Sequence, residues 1–450
     1  MVIIGSMKVK SVFLSVVLCF CVQIKAEILY GDYVITPSLC EEKSNDDEFS
    51  RISDEFIAGL NGIGIKDFRY GNHQLIRMLL SKNKNSRLYA KSNKYNRAAQ
   101  HLAGCHCCSQ ENHTLNEVFE DYSRFMTESW EKLEKNSLSL MDEWVERNIS
   151  GLLQPVERVF YPFGGPDIVH ALKFFPQAQE YILGGLERLG NFDSISKNIE
   201  DIQYINVVKT AFSHYLLKGY FVTSQMLSHL STKKNCGALD LILLELGRVG
   251  CYVYGVENVF ITPSGDVVEM VDNRDQQANL RAVKISFFYN GMSKTAYYVR
   301  GDLSNQAKKL SHLMHFVMQK KFATFLKSAS YILHDSRFSN IRSFILSKAY
   351  AVLQDDTGIP FYKFADNDWN RRAYGKYINP NLPVFKKYSQ PLLAEFFTKS
   401  HAVPLPFKMG YGYNKARPNL LLAIHLSDVQ KAQKILANSA KKKTCSCQQN

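Results

Sequence analysis

An α/β fold with a mixed sheet is what this sequence predicts, and three features predict it. The first is at the centre of the chain. Residues 158–163 (RVFYPF) form an apolar, β-branched and aromatic run, followed by the bend Gly164-Gly165-Pro166-Asp167. A helix-suited stretch comes next, ends at Pro176, and gives way to a second strand-like run at 180–186. Strand, helix and strand in so short a span imply a parallel pair, because parallel neighbours need a crossover. The second feature is Asn290-Gly291 between the apolar runs 282–289 and 294–300, the sequence signature of a tight β-hairpin. The third is helical periodicity across 115–149. Val118, Phe119, Tyr122, Phe125, Met126, Trp130 and Leu133 lie on one stripe, and Leu140, Met141, Trp144 and Val145 continue it. This spacing reads as two amphipathic helices, or one long helix broken near Asn136-Ser137. The sum is a Rossmann-like mixed sheet with an inserted β-hairpin and a helical N-terminal region.

The remaining elements follow in order. Residues 27–66 read as extended and partly acidic, 73–81 as a helix, and the basic, Asn-rich stretch 82–97 as a surface segment. Beyond the crossover, 216–230 and 238–246 are expected to be helical and 250–261 a strand. After the hairpin come a helix over 305–319, a strand near 325–333, a helix near 340–350 and a turn at 354–358. The chain past Pro360 reads as aromatic loop with one helix at 391–399, and 419–425 as a last apolar strand or helix. The organisation expected is a signal peptide (1–26), a mainly helical region with a Cys/His loop (27–150), an α/β core domain (151–430) and a basic tail (431–450).

Of 450 residues, 46% are hydrophobic and 22% charged, which is globular composition and excludes collagen, coiled coil and disorder. The formal net charge of +13 raises the question of nucleic acid. Three segments without any acid hold that excess: 1–26 with three cations, 82–97 with six and 431–450 with five. The rest of the chain is close to neutral. No helix-turn-helix, zinc-finger or stacking-aromatic pattern accompanies the basic segments. Nucleic acid is not the expected partner; an envelope component or an anionic membrane surface suits such segments better.

The N-terminus has the parts of a secretory signal. Lys8 and Lys10 precede the apolar run 11–22, and Ala26 offers a small residue before a cut at Glu27. Twelve helical residues rise ~18 Å, short of a ~30 Å hydrocarbon layer, so export to the periplasm or medium is expected over anchoring. Eight cysteines remain after Cys19 and Cys21, an even number that suits disulfides in an oxidising compartment. Cys105, Cys107 and Cys108, with His106 between them, are also the ligand types for zinc or copper.

The bend at Gly164 and Gly165 is the first candidate ligand site. Two glycines let backbone amides approach a ligand, the following helix N-terminus favours an anion, and Asp167 can cap that helix. Glu187 ends the next strand, 23 positions after Gly164, where nucleotide folds place an acid on ribose hydroxyls. Asp355 and Asp356 form a second acidic turn, and Asp335 with His334 a third. Such carboxylates serve acid–base chemistry or a divalent cation. No Gly-x-Ser-x-Gly elbow, His-Glu-x-x-His helix or phosphate-binding Walker loop is present, so no catalytic set and no cofactor is assigned.

The strings 160–167 (FYPFGGPD), 174–176 (FFP) and 181–187 (YILGGLE) are similar to a family of exported bacterial proteins of unassigned activity. So are 355–360 (DDTGIP), 374–377 (YGKY) and 404–407 (PLPF) with Gly410-Tyr411. The resemblance spans roughly 115–425 and departs at Arg188, where the family pattern has proline. It implies a compartment and a grouping, and the central part resembles a degenerate methyltransferase half. The reading at this point is a non-catalytic ligand- or partner-binding envelope protein using Gly164, Gly165, Asp167, Glu187, Asp355 and Asp356. The alternative is an enzyme, methyltransferase-like or cation-dependent, with those carboxylates in one acidic cleft.

Overall fold

The computed structural model describes residues 86–105, 113–153, 156–218, 236–270, 278–411 and 418–427. The expectations for 1–26, 27–66, 73–81, most of 216–230 and 431–450 lie outside those residues, as do Cys107 and Cys108.

The chain opens with α1 (Ser86–Leu102), where the sequence suggested a surface segment. The correction has a clear cause. Tyr95, Ala98, Ala99 and Leu102 fall at helical spacing and are all buried, a stripe hidden by the surrounding Lys and Asn residues. Next come α2 (His113–Leu133) and α3 (Ser139–Asn148), joined by one π-helical turn over Glu134–Leu138. That turn coincides with the break expected at Asn136-Ser137. It turns Ser137 inward, where its Oγ donates to the Lys408 carbonyl at 3.3 Å. A short α4 (Ser150–Leu153) leads to the sheet.

The central crossover forms as expected. β1 (Arg158–Tyr161) runs parallel to β2 (Glu180–Gly185), pairing Val159 with Tyr181 and Phe160 with Ile182, and α5 (Ile168–Phe174) joins them. Two helices the sequence reading did not assign, α6 (Phe192–Asn198) and α7 (Ile202–Lys218), precede α8 (Ala238–Arg248). β3 (Tyr252–Ile261) and β4 (Val267–Glu269) pair antiparallel. β5 (Leu280–Tyr289) and β6 (Met292–Arg300) are the anticipated hairpin, with φ of 50° at Asn290 and 71° at Gly291. Positive φ at both central residues is what a type I′ turn requires. The hairpin does not stand apart: β6 pairs parallel with β2, so it extends the sheet.

The second half brings α9 (Leu310–Met318), β7 (Phe322–Leu326), α10 (Ser339–Lys348), β8 (Ala351–Gln354), β9 (Trp369–Gly375), α11 (Pro391–Lys399) and β10 (Asn419–His425). β8 and β9 replace an expected turn approach and loop. Among the described residues one ten-stranded sheet results, in the order β4-β3-β5-β6-β2-β1-β7-β8-β10-β9. Strands β6, β2, β1, β7 and β8 are mutually parallel, and antiparallel strands flank them on both sides.

Helices cover both faces. One core joins α1, α2, α3, α5, α7 and α8 to Tyr161, Tyr181, Phe287 and Phe325. The other packs α9, α10 and α11 on Phe160, Ile182, Val299 and Val352. The fold is therefore a Rossmann-like α/β sandwich. Its winding reverses between β1 and β7: α5 leads from β1 to β2 across one face, and α10 leads from β7 to β8 across the other. Loops after β1 and β7 diverge there, as at the switch point of doubly wound sheets.

Candidate functional site

Topology brings all six nominated residues to the carboxyl edge of the parallel strands, yet it buries every one. Gly164, Gly165 and Asp167 follow β1, Glu187 follows β2, and Asp355 and Asp356 follow β8. Burial obliges their polar atoms to find partners inside the chain.

The glycine bend packs against β2. Gly165, at φ +60°, donates its amide to the Gly184 carbonyl at 3.2 Å. A Cβ on Gly184 would fall 2.6 Å from the Pro162 carbonyl oxygen, so these glycines allow two backbones to touch. The α5 N-terminus is also taken. Glu245, from α8, accepts from the amides of Ile168 at 3.0 Å and Val169 at 3.2 Å. The place expected for a bound anion is thus filled by the chain's own carboxyl group.

Asp167 does cap α5, with His170 N at 3.5 Å, but its main contacts are charged or phenolic. Lys327, just past β7, lies 2.7 Å from Oδ2, and His170 Nδ1 lies 2.7 Å from Oδ1. Tyr161 and Tyr215 donate their hydroxyls at 3.0 and 3.1 Å. Burial alone would raise this carboxyl; the charges of His170 and Lys327 outweigh it and hold the group below the ordinary aspartate range. Burial, reinforced by the Asp167 charge, pushes Glu245 and both tyrosines well above their usual values.

Asp355 and Asp356 organise loops. Asp355 accepts from Ser328 N at 2.8 Å, Thr357 N at 3.0 Å and Thr357 Oγ1 at 2.5 Å. Asp356 accepts from Tyr331 and, at 2.9 Å, from Asn419 Nδ2. Burial, with the Asp356 charge beside it, pushes Asp355 up to about 7. Glu187 accepts from Tyr298 Oη at 2.7 Å. With β1 and β7 between their strands, Glu187 and Asp355 stand about 14 Å apart in the sheet at ~4.8 Å per strand. The acidic cleft of the enzyme reading does not form. Asp335 pairs with Arg337 at 2.8 Å on the surface, and burial lowers His334 to about 4.

No family model, curated protein or solved structure matches the chain. The site has to be read from its own geometry.

That geometry contains one large cavity beside the nominated residues. It measures about 1020 Å³ and lies at the carboxyl ends of β2 and β6, under the wing β3–β5–β6 and against the start of α9. Val259, Leu280, Ala282, Val299, Leu303 and Leu313 supply an apolar floor continuous with the second core. Among the described residues the rim carries Arg188, Arg281, Arg300, Lys308 and Lys309 against one acid, Asp302. Asp302 turns to Ser304, accepting from its amide at 2.8 Å and its hydroxyl at 2.7 Å. Arg188, Arg281 and Lys308 are exposed and form no ion pair with a described residue.

Sequence reasoning missed Lys327, His170 and Glu245 in the buried cluster, and Arg281 and Lys308 at the rim. Glu245 left a signal, being the one acid inside the apolar run 241–246 (LILLEL). The rim cations left none, since they come from three separate segments.

The metal and disulfide expectations find little in the described residues. Cys105 is a free thiol whose Sγ lies 3.7 Å from the Ala103 carbonyl, and Cys236 and Cys251 are free and buried. Among the described residues no group of three His, Cys, Asp or Glu side chains is placed to hold a metal, and no helix is long and apolar enough to cross a membrane.

Proposed function

We propose that this is a non-catalytic binding protein of the cell envelope whose ligand is anionic and enters the cavity beside β2 and β6. The observation that carries the reading is the charge of that cavity: among the described residues lining it, five are cations and one is an acid, around an apolar floor. Cations around a concave, partly desolvated site concentrate anions there more effectively than the same charges on open surface. The volume, about 1020 Å³, matches the upper end of the ~300–1,000 Å³ typical of small-molecule sites. The envelope assignment rests on the signal-like N-terminus.

This moves the ligand away from Gly164, Gly165, Asp167, Asp355 and Asp356, which act as buried scaffolding for the edge that frames the cavity. A methyltransferase-like enzyme would need Glu187 facing its nucleotide, whereas its carboxylate is turned onto Tyr298.

The test is an equilibrium titration of the purified chain with 1-anilinonaphthalene-8-sulfonate, an apolar body with one sulfonate. Saturable binding to one site, weakened at least tenfold in Arg281→Glu/Lys308→Glu, is expected. Absence of a saturable site, or equal affinity in the variant, overturns the reading.

A further inference from the structure

We infer that the ligand of this cavity is an anionic amphiphile: an unbranched aliphatic chain ending in a phosphate or carboxylate group. The inference rests on the proposed binding function and adds the chemical class.

Two properties of the lining lead to it. The first is what the floor is made of. Leu, Val, Met and Ala provide its apolar surface, and none of the described residues that line the cavity is aromatic. A planar base or ring system is normally held by stacking on aromatic faces, worth ~1–3 kcal/mol per base. An aliphatic floor offers no such platform, and it is the natural complement of methylene groups, which gain from leaving water without needing orientation. In a chain with 28 Phe and 24 Tyr, a large cavity whose described lining has no ring stands out.

The second property is the separation of polarity. The apolar surface that a ligand can reach comes from Leu186 and the half-buried Leu189, Met270 and Ala307, backed by the buried Val259, Val299 and Leu313, which continue into the core beneath. The cations stand at the mouth, where Leu186 is also 51% exposed. The site therefore sets an aliphatic surface beside a basic one. A compact anion such as free phosphate would use the rim and leave the floor wet. A neutral chain would use the floor and leave the rim unused. An amphiphile uses both.

The experiment is calorimetric titration of the full chain with dodecyl phosphate, kept below its micelle concentration. Decyl phosphate, dodecyl maltoside, adenosine monophosphate and inorganic phosphate are run beside it. Dodecyl phosphate is expected to bind one per chain, about tenfold tighter than decyl phosphate, because two further methylenes are buried. Dodecyl maltoside and inorganic phosphate are each expected to bind at least tenfold more weakly. Arg281→Ala/Lys308→Ala is expected to lower dodecyl phosphate affinity at least tenfold while leaving dodecyl maltoside unchanged. Ala307→Trp, which fills the half-buried cavity wall, is expected to abolish both without changing the thermal midpoint. Affinity independent of chain length, or adenosine monophosphate binding as tightly as dodecyl phosphate, overturns the amphiphile while an anilinonaphthalene sulfonate site would still stand. Failure of every anion, sulfonate included, removes the binding function itself.

Discussion

The ammonium of Lys327 lies 2.7 Å from the carboxylate of Asp167, with both side chains about 1% exposed, at the point where the sheet reverses its winding. The two residues are 160 positions apart and follow adjacent parallel strands, β7 and β1. The ion pair therefore ties together the two halves of the doubly wound sheet where their loops diverge.

Removing one partner of a buried pair leaves the other charge unpaired, which typically costs ~3–5 kcal/mol. Lys327→Met is expected to lose that much stability in urea denaturation. Asp167→Asn in the same chain should recover part of it, because it removes the unpaired buried carboxylate and the Tyr161 and Tyr215 hydroxyls can still donate to the asparagine oxygen. A coupling of at least ~1 kcal/mol in the double-mutant cycle is the expected outcome. Strict additivity would show that the two charges do not sense one another.

The second prediction concerns pH. Burial and the neighbouring Asp356 charge raise Asp355 to about 7, and burial raises Asp240 to about 6. An unfolded aspartate titrates near 3.9. Between those values the folded protein binds protons that the unfolded chain releases, so each group makes stability fall as pH rises from about 4, the fall ending at about pH 7 for Asp355 and about pH 6 for Asp240. Asp167 has the opposite sign, since its folded value is depressed: its contribution is present above about pH 4 and fades on acidification. Asp355→Asn deletes one falling component. Its asparagine oxygen can serve only part of the Ser328 and Thr357 set, so the variant starts less stable at about pH 5. The gap to the parent should then narrow toward about pH 7 and stay constant above it. A gap that widens with pH would refute the raised acid.

What could be read from the sequence follows the range of the interactions involved. The β1–α5–β2 crossover, the Asn290-Gly291 hairpin and the π-helical break are local in cause, and residue type alone marks them. The stretch 327–331 shows the contrary case. Its apolar and hydroxyl residues read as the continuation of a strand, but Ser328, Ser330 and Tyr331 have φ of 52°, 53° and 56°. Left-handed backbone at non-glycine residues costs ~1–3 kcal/mol each and needs an outside hold. That hold comes from Asp355, which takes the Ser328 amide, and from Thr357, which takes the Ala329 amide at 2.7 Å and the Tyr331 amide at 3.0 Å. The motif 355–360 was visible; its purpose lay nearly thirty residues away. The six nominated residues were legible as special for the same reason, and their burial was not, because only strand order decides which loops are covered.

A glycine comparison separates packing from chain entropy. Gly184→Ala would place a methyl 2.6 Å from the Pro162 carbonyl oxygen, between two strand-end backbones with no side chain able to yield. A loss of about 1–3 kcal/mol is expected. Gly151, in α4, has nothing within 4 Å of the added carbon and negative φ. Gly151→Ala is expected to gain up to about 1 kcal/mol through reduced freedom of the unfolded chain. Chemical denaturation of both variants checks the pair, and a loss at Gly151 equal to that at Gly184 would contradict the packing account.

The last prediction tests whether Glu245 stands where a ligand anion was first expected. Its Oε2 accepts from two amides of the α5 N-terminus, and its other oxygen finds no partner among the described residues. Burial and the nearby Asp167 charge both favour the protonated form, so the group acts as an acceptor more than as a charge. Glu245→Gln keeps a carbonyl oxygen at the same reach and is expected to cost less than about 1 kcal/mol. Glu245→Ala leaves two buried amides unsatisfied, at ~1–3 kcal/mol each, and opens a cavity beside α5. Its loss should therefore exceed that of the glutamine variant by at least about 2 kcal/mol. Equal losses would mean that the negative charge, not the acceptor, holds the helix end.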